Sequence, residues 1–181
     1  MELRPELQLK AAIKALKDTI IPAVDSRHGV AVEQANLVVH SLEMIAENLP
    51  KQYRYDRHEL DSWISLAAEL IAVVEGDELT GRAVAALKQL LQHQRDTLAK
   101  AGAEPAELHQ GILAMRSTIS AVVTAVLDDG SSEAKIQMQQ YLFSSAKQQL
   151  LRERSWLAPM GLDPELSSLP PIERLIDDVK A

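Results

Sequence analysis

The chain contains no cysteine. That removes disulfides, thiolate metal sites, iron–sulfur clusters and a cysteine nucleophile together, and it fits a reducing compartment. Aromatic residues make up only 3% of the 181 positions, with one phenylalanine, Phe143. The core must then be Leu, Ile, Val and Ala, which suits helix packing better than aromatic-rich strands. Only 7 Gly and 8 Pro are present, too few for the many turns of an all-β fold. No apolar run approaches the roughly 20 residues needed to cross a bilayer. The first residues, Met1-Glu2-Leu3-Arg4-Pro5-Glu6, lack the basic-then-apolar order of a signal peptide. A formal net charge of −7 disfavours phosphate backbones and anionic lipid, so neither nucleic acid nor membrane is an expected partner. These absences lead to the expectation of a soluble, cytoplasmic protein.

What the chain does have is helical periodicity. Ala31, Ala35, Val38, Leu42, Ile45 and Leu49 follow an unbroken four-three-four spacing. Leu108, Ile112, Met115, Ile119, Val122 and Val126 repeat it. A mean step of 3.5 residues places each set on one stripe of a helix, the pattern that a packed bundle needs. Seven helical segments follow from such stripes and their punctuation. The first spans about Pro5 to Ile20, ahead of Pro22, and the second runs from Asp25 or Ser26 as cap to Leu49, ahead of Pro50. A polar loop over residues 50–55 precedes a third helix opened by Asp56 and Glu59, with Leu60, Ile64, Ala67, Ile71 and Val74 as its stripe.

A fourth helix, Glu78 to Ala101, is expected to bury Leu79, Ala83, Leu87 and Leu90. A fifth runs from Pro105 to Asp128-Asp129-Gly130. A sixth, capped by Ser131 or Ser132, is expected to bury Ile136, Phe143, Ala146 and Leu150. A Pro-rich connector then leads to a short helix over Pro171–Val179. The expected fold is all-α: an antiparallel bundle of five to six long helices plus a short C-terminal one. Residues 1–158 form the bundle domain and 159–181 the connector with a docking helix. That tail either packs on a partner subunit or folds back on its own bundle, the second being the commoner behaviour.

Chemistry is sparse. A di-iron bundle needs Glu-x-x-His on its helices, and no His here has Glu three residues before it. His-Glu-x-x-His, a Gly-x-Ser-x-Gly elbow and the phosphate-cradling glycine motifs are also absent. Asn36, His40, Glu43 and Glu47 share one helix face. His40, Glu43 and Glu47 are weak metal candidates there, but they point about 200° from the Val38 stripe, so a solvated face is the favoured reading. The dispersed histidines, 28, 40, 58, 93 and 109, read as surface imidazoles rather than a convergent triad. No catalytic residue, metal or cofactor is assigned.

Residues 51–58 are locally basic and hold two of the three tyrosines. Tyr53, Arg54, Tyr55 and Arg57, with Trp156, are the candidate partner or ligand contacts, because Tyr, Trp and Arg dominate binding energy at protein interfaces. The competing reading is an ordinary inter-helix loop. Lys147, Arg152 and Arg154 read as the basic end of a helix.

One segment has a familiar pattern. Over Ala11–Leu49, about a fifth of the chain, a helix ending in Thr19-Ile20-Ile21-Pro22-Ala23-Val24 is followed by a second containing Ala35-Asn36-Leu37. This resembles small bacterial helical domains of unknown function associated with aminoglycoside-phosphotransferase-like kinases and acyl-CoA dehydrogenases. The chain departs from them in carrying further helices beyond Gly102. The resemblance implies an accessory role beside an acyl-CoA-type catabolic enzyme or a kinase. Three functions are therefore carried forward. The first is a non-catalytic accessory or interaction protein, expected to be a homo-oligomer. The second is a bundle that binds an acyl or phosphorylated small molecule, and the third a metal-dependent helical enzyme.

Overall fold

A computed structural model describes residues 4–177 of the chain. The protein is all-α. In order, the helices are α1 (Pro5–Ala15), α2 (Ile21–Ala23), α3 (Gly29–Asn48), α4 (Gln52–Val73), α5 (Glu78–Ala99), α6 (Pro105–Asp129), α7 (Ser132–Leu157) and α8 (Ile172–Ile176). Short 3-10 turns occupy Leu49–Lys51, Ala158–Met160 and Leu166–Ser168. Among the described residues there is no strand, and one isolated antiparallel bridge pairs Gly76 with Gly130. The end of the expected C-terminal helix, residues 178–179, lies outside the described residues. The chain divides into two compact units, Met1–Gln52 with Arg152–Ile172, and Tyr53–Leu151 with Glu173–Ala181.

The larger unit holds a continuous apolar core. From α4 it takes Leu60, Ile64, Ala67 and Leu70, from α5 Leu87 and Leu91, and from α7 Ala134 and Met138. From α6 it takes the whole expected stripe: Leu108, Ile112, Met115, Ile119, Val122 and Val126 are all at most 3% exposed. By length and composition α6 is the one described helix apolar enough to cross a membrane, and its apolar stripe lies in this core. Glu104 and Glu107 start α6, with the Glu104 N–H donating to Glu107 Oε2 at 3.0 Å. That bond, with Lys100 beside it, holds the Glu107 carboxyl below its ordinary range.

Two loops of this unit are laced together at one end. The Asp129 carboxylate accepts the Leu79 N–H at 2.7 Å, the Thr80 N–H at 3.0 Å and the Thr80 hydroxyl. It thus caps α5 from the end of another helix, although Asp77 stands in the cap position and makes no cap bond. The Thr80 hydroxyl above all, helped by the two N–H groups, holds the Asp129 carboxyl below its usual value. Ser131 N–H donates to Glu75 O at 3.0 Å. The two loops approach so closely that a Cβ on Gly76 would stand 2.9 Å from Gly130 Cα, while one on Gly130 would stand 2.5 Å from Val126 O at the end of its own helix. Only glycine fits at this crossing.

The smaller unit is thin. Helix α1 lies along α3, and just beyond α1 Lys17 Nζ reaches Glu43 Oε1 on α3 at 2.9 Å. The first helix does not stop before Pro22. A π-helical segment, Leu16–Ile20, follows α1, with the Ile21 N–H reaching back to Leu16 O, and Pro22 sits in the helical turn beyond it. Proline lacks an N–H and crowds the carbonyl four residues back, and the wider π turn makes room for its ring. Helix α3 begins at Gly29 without a side-chain cap. Asp25, expected to cap it, instead receives the Arg27 N–H at 2.9 Å and its guanidinium at 2.6 Å.

Further expectations need correction. Residues 52–55 are not a loop: Leu49–Lys51 form a 3-10 turn that passes directly into α4. Pro50 sits in the first turn of that 3-10 segment, where its missing N–H costs nothing. In α7, Ile136, Phe143 and Leu150 are 54%, 76% and 57% exposed, and Ala146 is exposed as well. The buried face of that helix is instead Ala134 and Met138, with Tyr141 and Leu142 half-buried. In α3, Val38, Ile45 and Leu49 are 50%, 42% and 36% exposed; the fully covered apolar residue is Val39. Leu79, expected in the core, is also exposed.

Candidate functional site

The aromatic and basic cluster occupies the first two turns of α4. At 100° per residue, Tyr53 and Arg57 share one helix face while Arg54 stands apart. Tyr53 Oη donates to Ala103 O at 3.1 Å, and Arg57 Nη2 donates to Leu98 O at 2.8 Å. The guanidinium of Arg57 stands 5.9 Å from the Tyr53 ring centroid. These two side chains therefore serve carbonyls at the end of α5 and in the loop beyond it, groups that a helix C-terminus leaves without an internal partner. Arg54 points outward and pairs with Asp177 at 2.7 Å, both side chains about half exposed. Tyr55 is half-buried on the same helix. Trp156, near the end of α7, is half-buried, and its carbonyl accepts Asn48 Nδ2 at 2.7 Å. Tyr53 and Arg57 lie together, whereas Trp156 belongs to the other unit.

The weak metal candidates are spread along α3. His40 is exposed, Glu43 is engaged by Lys17, and Glu47 faces Lys51 at 3.8 Å. Among the described residues no three or more His, Asp or Glu side chains converge on a point that could hold a metal ion.

Two features of the smaller unit were missed by sequence reasoning. Lys10, Ile13, Lys14, Lys17 and Asp18 line an open groove of about 410 Å³ together with Glu43 and Ala46. The signal was available: lysines at four-then-three spacing share one helix face. Two of them are already matched by acids, Lys14 with Asp18 at 3.7 Å and Lys17 with Glu43. The second feature is a clamp on the connector. Arg154 donates through Nε and Nη2 to both oxygens of Asp163 at 2.8 and 2.9 Å, and through Nη2 to Glu165 at 3.0 Å. The guanidinium holds the Asp163 carboxyl down at about 2, and the two acids in turn raise Arg154. The Pro-rich connector thus folds back on α7 within its own unit through 163–165. Sequence offered Arg154 only as the basic end of a helix.

The remaining feature is apolar. Exposed large side chains recur at helical spacing on α3 (Val30, Leu37, Val38, Ile45) and on α7 (Ile136, Phe143, Leu150). Single exposed leucines are ordinary, but rows of them mark surfaces that another body covers. Chemically these faces can associate and little else. No protein-family model, curated protein or solved structure matches this chain.

Proposed function

We propose that this chain is a non-catalytic interaction protein that works as a homo-oligomer. The observation that carries the reading is the contrast between stripes of like spacing, one filling the larger unit's core and the others left facing water on α3 and α7. Apolar area exposed in one copy is favourable to bury in an assembly, at roughly 25 cal/mol per Å² before association costs. The resemblance of residues 11–49 to accessory helical domains points to an acyl-CoA-type catabolic enzyme or a kinase as the body such an assembly serves. Native mass spectrometry of the untagged protein tests the reading. Bare dimers or higher assemblies that grow with concentration support it; a monomer at every concentration, or a mass increment that denaturation removes, contradicts it.

The lysine-lined groove favours a second reading, a site for an acyl or phosphorylated small molecule. Its lining combines Lys10, not matched to an acid among its lining residues, with the apolar Ile13 and Ala46, a mixture suited to such a ligand. A ligand that binds only the folded state raises the melting temperature. A shift with octanoate or inorganic phosphate that Lys10→Ala abolishes would support this reading, and none with either would end it.

A further inference from the structure

The outward face of α7 has a pattern that a random exposed surface lacks. Ile136, Phe143 and Leu150 stand seven residues apart, with the only phenylalanine of the chain at the centre and 76% exposed. At 1.5 Å per residue the row is about 21 Å long. Between its ends, residues 136–150 include one charge, Lys147, in a chain that is 25% charged. Depletion of charge around an exposed aromatic residue is the composition found at the centre of protein interfaces.

We propose that α7 pairs with α7 of a second copy, antiparallel, about a two-fold axis passing beside Phe143. This rests on the reading of the chain as a homo-oligomer and names the surface. The row is its own complement. Turned about Phe143, it lays Phe143 on Phe143 and Ile136 on Leu150, an isologous contact in which each partner offers the same patch. Lys147 of the two copies stay about 12 Å apart along the axis, beyond a Debye length at physiological salt, so the single charge does not oppose the pairing. A lipid surface fits worse: of the basic residues beyond Leu150, Arg152 is buried and Arg154 is held by Asp163 and Glu165, and the chain carries −7. A single helix pair buries less than the roughly 800 Å² per partner of a stable complex, so the dimer is weak and concentration-dependent.

The absence of cysteine makes the register directly testable in the full chain. Bridged cysteines need Cα atoms within about 7 Å. Phe143→Cys, placed at the axis, is expected to form a disulfide-linked dimer on mild oxidation. Ile136→Cys alone is not, whereas a mixture of Ile136→Cys and Leu150→Cys chains is expected to link. Sedimentation velocity from micromolar to millimolar protein gives the second readout: wild type shifts from monomer towards dimer, and Phe143→Glu stays monomeric. Because Phe143 contacts no core, the urea midpoint of Phe143→Glu should match wild type and confirm that it folds. Assembly unchanged by Phe143→Glu, with no link through Phe143→Cys, would overturn the α7 pairing and leave the homo-oligomer reading standing. A wild type monomeric at every concentration would overturn both.

Discussion

Helices α3 and α6 carry stripes of identical four-three-four spacing, and the protein treats them oppositely. On α6 every member is buried, from Leu108 to Val126. On α3 the stripe straddles the water line, with Ala35 and Leu42 half-buried and Val38, Ile45 and Leu49 exposed. The difference lies in what surrounds each helix. In the larger unit α4, α5 and α7 contribute buried residues to the core that α6 fills. In the smaller unit α3 has α1 and a 3-10 turn to pack against. Spacing therefore specifies that a helix forms and has an apolar side. Whether that side is core or contact surface depends on how many neighbours the rest of the chain supplies.

Substitutions can break this comparison. The largest effect is expected from Leu108→Ala, which empties a fully buried position and should cost about 2–5 kcal/mol in urea unfolding. If Ile45→Ala costs as much, the exposed reading of α3 is wrong, because a surface change is expected to stay within about 0.5 kcal/mol. Gly130→Ala ranks next. Its methyl meets the Val126 carbonyl, and overpacking of this kind costs about 1–3 kcal/mol. An unaffected melting temperature would mean that Gly130 does not close α6 against the Val126 carbonyl as described.

A smaller, local effect is expected at the connector. Arg154→Ala should raise amide hydrogen exchange over residues 158–168 and leave α6 protected. The same clamp gives a pH signature. Asp163 has its pKa lowered from 3.8 to about 2. A lowered carboxyl binds fewer protons folded than unfolded, so its stabilisation is complete above about pH 4 and fades as pH falls towards 2. Asp163→Asn should therefore differ from wild type in connector protection at neutral pH and converge with it near pH 2. Equal protection at both would remove the clamp from the account.

Much of the fold was legible because local signals agreed with tertiary ones. Pro105 opens α6, Asp128-Asp129-Gly130 closes it, and the stripe between them faces the core. Where signals were read one residue type at a time, reading failed. Pro22 and Pro50 looked like stops, yet a π turn and a 3-10 turn carry the helical path through both. Ile136, Phe143 and Leu150 looked like core because they are apolar at seven-residue spacing. The glutamines and serines between them are equally compatible with either face, so the sequence did not separate core from surface there. Tyr53 and Arg57 looked like contacts because those residue types bind partners, but they also reach helix-end carbonyls. The Asp129 cap and the Arg154 clamp join residues 49 and 9 positions apart, and no local rule finds such pairs.

The most direct test uses one substitution at two matched positions, Val122→Ala on α6 and Val38→Ala on α3, compared by urea unfolding at a concentration where the chain is monomeric. Val122 is fully buried and Val38 half exposed. The account predicts a loss of about 2 kcal/mol at Val122 and less than about 0.5 kcal/mol at Val38. Equal losses at the two positions would contradict it, because both stripes would then be core.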